Sequence, residues 1–223
     1  HLQLIVWNYP VAVLLSYFIL KPIIPNELTS VLPWQLYVPL SILLPSIFIC
    51  IALAIQYSGI VKTEVAMRLS LFIPLLAAFF LFKEQISLPK LAGIALGFVA
   101  IICSIGWQKK ARSSGNMHSI YALLVFLGMG VIDVLFKQVA LHREVPYMTS
   151  MFFIFVMAML VALAYLVYLL LIKKEAFDFR AVAWGLLLGI FNFGNILFYM
   201  KAHKSLPDNP SIVFTGMNIG VIL

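Results

Sequence analysis

Residues Ala66–Glu84 read AMRLSLFIPLLAAFFLFKE. One arginine stands near the start of this stretch, a proline sits in its middle, and a Lys-Glu pair closes it. No residue between Arg68 and Lys83 carries a charge. A helix needs about 20 such residues to cross a hydrocarbon core about 30 Å thick. The run to which this stretch belongs, Glu64–Phe82, meets that length. It is predicted to cross a membrane as a helix, because lipid offers no partners to backbone N–H and C=O groups and a helix satisfies them internally.

Outward from it, the same pattern recurs along the chain. Further apolar runs cover Leu2–Leu20, Gln35–Ser58, Leu88–Trp107, Ile120–Ala140, Tyr147–Ile172 and Ala181–His203, and an eighth begins near Asn209. The spacing predicts an all-α integral membrane protein with seven complete spans and one partial one. Composition agrees: 64% of the 223 residues are hydrophobic and 10% are charged, against about 45–50% and about 25% in an average soluble domain. A soluble enzyme, a disordered tail and a disulfide scaffold are thereby excluded. The net charge of +7 is spread in short groups between the runs, as in juxtamembrane loops. The expected partners are therefore the lipid bilayer and a small-molecule solute, with no nucleic acid. Cys50 and Cys103 lie inside apolar runs without metal or disulfide spacing, which reads as core packing. No cofactor or metal is expected. His1 opens directly into a run and Leu223 stops within one, so both ends look cut.

Shifting the sequence by 146 residues lays Gln35–Ser58 on Ala181–His203, and Glu64–Phe82 on the run after Asn209. Leu2–Leu20 then falls on Tyr147–Ile172. The two unmatched runs imply an intact protein of two five-helix repeats. An odd number of spans per repeat forces opposite orientations, the inverted-repeat architecture of many secondary transporters. On this reading residues 1–107 hold helices 2–5, residues 108–118 a linker, and residues 119–223 helices 6–9. Lysine and arginine divide evenly between the two sides and do not orient the chain.

Ala66–Glu84, followed by LAGIALGFVAII at Leu91–Ile102, resembles the fourth and fifth helices of EamA-type permeases of the drug/metabolite transporter superfamily. FLGMGVIDVLFK at Phe126–Lys137, with Asn192–Leu223, is similar to the second half of that family. The resemblance implies ten helices in an inverted five-plus-five repeat, a bacterial inner-membrane location, and export or exchange of small metabolites. It also implies that Lys21–Trp34, Lys83–Lys90, Leu141–Pro146 and Lys204–Asp208 face the cytoplasm.

Ionisable groups inside spans cost about 2.5–3.5 kcal/mol each on insertion scales and so mark candidate sites. Asp133 and Lys137 are four apart on one helix face; they read either as a self-neutralising ion pair or as a relay. Glu64 and Arg68 have the same spacing. Arg68 can snorkel outward or offer its planar fork to a carboxylate or phosphate. Gly185, Gly189, Asn192, Asn195 and Tyr199 form a stripe on one helix, read as cavity lining against the alternative of interhelical hydrogen bonding. Ser211, Thr215 and Asn218 extend the pattern, whereas Asn8 reads as packing. The expected substrate site is Arg68, Asn192, Asn195, Tyr199 and Asn218. Pro10, Pro39, Pro45 and Pro74 are expected to interrupt helices. Three GxxxG pairs, Gly185–Gly189 among them, report close packing. The leading function is a secondary transporter of neutral or zwitterionic metabolites. No GxxxxGK[ST], HExxH or GxSxG occurs, which disfavours ATP coupling and a membrane-embedded enzyme; a non-transporting scaffold stays open.

Overall fold

The computed structural model describes residues 3–24, 32–85, 87–89, 92–93, 95–96, 99, 116–142, 144–174 and 176–220. These residues form the helices α1 (Gln3–Leu20), α2 (Trp34–Ser58), α3 (Ile60–Leu69), α4 (Phe72–Phe80), α5 (Asn116–Leu141), α6 (Tyr147–Leu171), α7 (Phe179–Ser205) and α8 (Pro210–Gly220). No strand occurs among the described residues. Six stretches are long and apolar enough to cross a membrane, α3 and α4 counting together as one. They coincide with six of the seven expected complete spans. Most of the remaining run, Leu88–Trp107, and most of the expected linker lie outside the described residues; α5 begins at Asn116, inside that linker. Large apolar side chains stand out on the helix surfaces, Phe80 at 82% and Phe198 at 68% exposure. Helices that are apolar all round have this character when hydrocarbon surrounds them.

Two expectations need correction, and one is met. The helix containing Arg68 begins at Ile60, not Glu64. Gly59 alone leaves helical geometry between α2 and α3, at φ 87°, a conformation that only glycine adopts without strain. Next, Pro74 does interrupt its helix as expected: α-helical bonding breaks off at Ser70–Leu71, although both residues keep right-handed helical dihedrals. Pro74 has no N–H, and its ring displaces the carbonyl of Ser70. The chain tightens there, with Leu71 N–H on Arg68 O at 3.3 Å and Ile73 N–H on Ser70 O at 3.1 Å. The missing donor of Pro74 falls in the first turn of α4, where none is needed. Finally, Pro10, Pro39 and Pro45 lie inside uninterrupted helices. Each removes one hydrogen bond while the flanking turns keep theirs, and in an apolar setting the helix is still the best arrangement for the rest.

The chain forms two compact units. One comprises residues 1–49 and 138–201, the other residues 50–137 and 202–223. Each therefore draws on both halves of the sequence.

In the first unit α1 packs along α6. Polar ties hold the ends of its helices. Gln3 donates to Ala176 O at 2.7 Å and accepts from the N–H of Asp178 at 3.1 Å. Tyr37 donates to Ser150 Oγ at 2.7 Å, and the N–H of Ile23 reaches Thr149 Oγ1 at 3.2 Å.

In the second unit α4 packs on α8. Ala54, Ala66 and Val125 form a small-residue core, beside which the rings of Tyr57 and Tyr121 stack at 5.5 Å.

Candidate functional site

The second unit contains a charged cluster around Lys137. This side chain lies one turn before the end of α5 and is 0% exposed. Its ammonium donates to Pro207 O at 2.9 Å and stands 5.9 Å from the centroid of Phe82. Glu84 and Asp208 supply the opposite charge. Glu84 reaches this place because Lys83 adopts φ 53° and reverses the chain after α4. The Glu84 N–H then bonds Ala78 O at 3.0 Å. Its buried carboxylate accepts from the Ser211 hydroxyl at 2.6 Å and from the Ser211 N–H at 3.0 Å. That N–H is one of the first donors of α8, so Glu84 caps the helix and meets the positive end of its dipole. Asp133, a turn behind Lys137, is 5% exposed. His203 is fully buried, with its ring 4.8 Å from that of Phe214. Neither Asp133 nor Lys137 faces lipid.

Sequence reasoning named Asp133 and Lys137 but missed Glu84, Asp208 and His203. The signal for two of them was present. Lys83-Glu84 directly follows a span, and Asp208-Asn209-Pro210 is a helix-start pattern, with a polar cap before a proline at the first helical position.

Arg68 also belongs to the second unit. It stands in the last turn of α3, just before the break in that span. Its Nε and Nη2 donate to Glu64 Oε1 at 3.0 and 2.6 Å. The Arg68 side chain is 11% exposed and that of Glu64 43%. The fork is thus held by a carboxylate from its own helix, and the pair presents both signs of charge rather than a lone cation.

The amide stripe belongs to the first unit. A Cβ on Gly185 would stand 2.6 Å from Leu4 O, and one on Gly189 2.6 Å from Asn8 O. The glycine pair therefore lets the backbones of α7 and α1 touch, as its spacing implied. One turn further, Asn192 donates to Asn8 Oδ1 at 3.2 Å. Asn8 is fully buried, and its own Nδ2 has no hydrogen-bond partner among the described residues. Asn192 is half-buried, Asn195 exposed and Tyr199 buried. Of the expected site, then, Asn192, Asn195 and Tyr199 share one helix of the first unit, and Arg68 lies in the second. Asn218 falls in α8, but its side chain is outside the described residues. Among the described residues no group of three or more His, Cys, Asp or Glu could hold a metal.

No family model matches the chain. It is 40% identical over 226 residues to a Haemophilus influenzae protein whose description reads "Uncharacterized protein", with 99% of this chain and 76% of that relative covered. With that identity and coverage, the chain belongs to the family of this H. influenzae protein.

Proposed function

We propose that the protein is a secondary transporter of small organic solutes, an EamA-type permease of a bacterial inner membrane that works by alternating access. The observation that carries this reading is the broken span. An apolar crossing whose hydrogen bonding shifts from the α-helical to a tighter pattern at Ser70–Leu71, with both residues still in helical dihedrals and the Arg68–Glu64 pair beside them, is a local irregularity of the sort from which transporters build solute sites. One helix pair supports the five-plus-five repeat of this proposal. The 146-residue shift carries Trp34–Ser58 onto Phe179–Ser205 to within one residue at each end. The partly exposed Glu64–Arg68 pair matches a zwitterion: the carboxylate of Glu64 suits an ammonium and the guanidinium of Arg68 suits a carboxylate. Asn218, in α8 of the same unit, is a further lining residue of this proposal; Asn192, Asn195 and Tyr199 are a separate candidate lining within the first unit.

The test is flux of labelled zwitterionic and neutral metabolites into liposomes carrying the protein. Uptake above protein-free vesicles is expected. Arg68→Lys should lower it about tenfold or more for an acidic or zwitterionic solute, as loss of a charge-assisted contact of about 1.5–3 kcal/mol implies. Absence of flux for every class would leave a non-transporting membrane scaffold as the reading.

A further inference from the structure

Three non-glycine residues among those described have positive φ, and all three are lysines: Lys21 at 46°, Lys83 at 53° and Lys174 at 51°. Each follows the C-terminal end of a stretch long and apolar enough to cross a membrane, and each is exposed.

Two of the ends share a backbone path. At α4 the capping residue Leu81 has φ −93° and ψ −45°, and the next N–H reaches five residues back, from Phe82 to Ala77 O at 2.9 Å. At α6 Ile172 has φ −93° and ψ −46°, and Lys173 N–H reaches Tyr168 O at 3.2 Å. The left-handed lysine comes next in both. At α1 the lysine follows the helix directly, its N–H on Tyr17 O at 3.2 Å.

A left-handed residue is a common way to end a helix, but the residue that fits it is glycine, or asparagine, because a Cβ clashes with the carbonyl oxygen there. The turn at Lys83 illustrates the distinction. Reversal of the chain is what brings Glu84 to Ser211, and that accounts for the φ angle. It does not account for an ammonium, since glycine would make the same turn without strain. Three lysines standing where the backbone favours glycine have the ammonium in common, and that points to something that the ammonium binds.

We propose that Lys21, Lys83 and Lys174 each bind the phosphate of an anionic lipid headgroup at the end of its span. A lysine stem lies along apolar helix surface and carries its charge to the headgroup level. Anionic headgroups supply the complementary charge at that depth. The inference rests on the membrane-spanning reading of these helices and is independent of transport.

The experiment compares unfolding temperatures of the wild type, Lys21→Gly, Lys83→Gly, Lys174→Gly and Lys174→Met. Each is measured in neutral maltoside micelles, in the same micelles with phosphatidylglycerol, and with inorganic phosphate at the matching concentration. Without lipid the glycine variants should unfold about 2–4 °C above the wild type, because strain is relieved. Phosphatidylglycerol should raise the wild type more than the variants and invert that order. Lys174→Met, which keeps the Cβ and loses the charge, should lose the lipid response without gaining the glycine advantage. If the glycine variants keep their lead in phosphatidylglycerol, the ammonium has no lipid role and the proposal fails. It fails equally if they fall below the wild type by one margin in all three conditions, which is attraction to the helix dipole alone. Inorganic phosphate reproducing the whole shift would also overturn it, in favour of a free-anion site.

Discussion

The α1–α7 seam and the cluster around Lys137 solve one problem in opposite ways. Both bury polar groups inside helices that are otherwise apolar. The seam uses no charge: Gly185 and Gly189 bring two backbones into contact, and a single amide bond, Asn192 to Asn8, follows one turn on. The cluster uses full charges: Lys137 is buried with Glu84, Asp208 adds its charge from an exposed position, and the Glu84 carboxylate caps α8. The seam draws on surface fit, which fails gradually when one atom is added. The cluster draws on mutual neutralisation, which fails abruptly when one member is removed, because the others keep their desolvation cost. The first suits a surface along which helices lie; the second suits a fixed joint between α5, the segment after α4 and the α7–α8 turn.

The sharpest way to break this contrast is at Lys137. Lys137→Met should destabilise the protein by about 3–5 kcal/mol, since the buried carboxylate of Glu84 loses its cation. Adding Glu84→Gln and Asp208→Asn should recover part of that loss. Denaturant or thermal unfolding in detergent would show it, and a triple variant less stable than Lys137→Met would contradict the account of mutual neutralisation.

Next in size is the seam. Gly189→Ala places a Cβ 2.6 Å from a backbone oxygen that cannot rotate away. A loss of about 1–3 kcal/mol is expected, as for overpacking in general, and Gly185→Ala should behave alike. A neutral result for both would mean that α1 yields freely and that the seam is not closely fitted.

Asn192→Ala removes the Asn192–Asn8 amide bond across the seam and should cost about 0.6–1.7 kcal/mol, the range for interhelical hydrogen bonds in membranes. Asn195→Ala, at an exposed position, should leave stability near the wild type. Comparing the two by unfolding and by solute flux separates packing from lining. Flux lost in Asn195→Ala at unchanged stability would place Asn195 at the solute.

The smallest effect on stability belongs to Arg68→Lys. A single-helix i,i+4 pair with a partly exposed carboxylate contributes only about 0.3–0.5 kcal/mol. The proposed transport role predicts a much larger loss of flux than of stability, and equal small losses in both would remove Arg68 from the site.

Hydrophobic run length located every described span, because lipid and water differ so strongly that twenty apolar residues have one favourable arrangement. That Gly185 and Gly189 would meet another backbone was legible for a related reason, since spacing by four puts both on one face; that the backbone is that of α1 was not. The break at Ser70–Leu71 was only half legible. Four prolines stood in the interiors of apolar runs, and which one breaks its span depends on where a new first turn begins. Pro74 had such a place; Pro10, Pro39 and Pro45 did not.

Composition and periodicity alone determined that the chain is helical, where its spans lie and which faces carry amides, because these follow from each segment's own contact with solvent or lipid. Only the tertiary structure decided the distant partners: that Asn192 meets Asn8, and that Glu84 crosses from the end of α4 to cap α8. A hydrogen bond joins residues as far apart as Glu84 and Ser211, and nothing local to either names the other. The pairing exists because Lys83 reverses the chain and α8 begins beside it, and those are properties of packed helices rather than of any one segment.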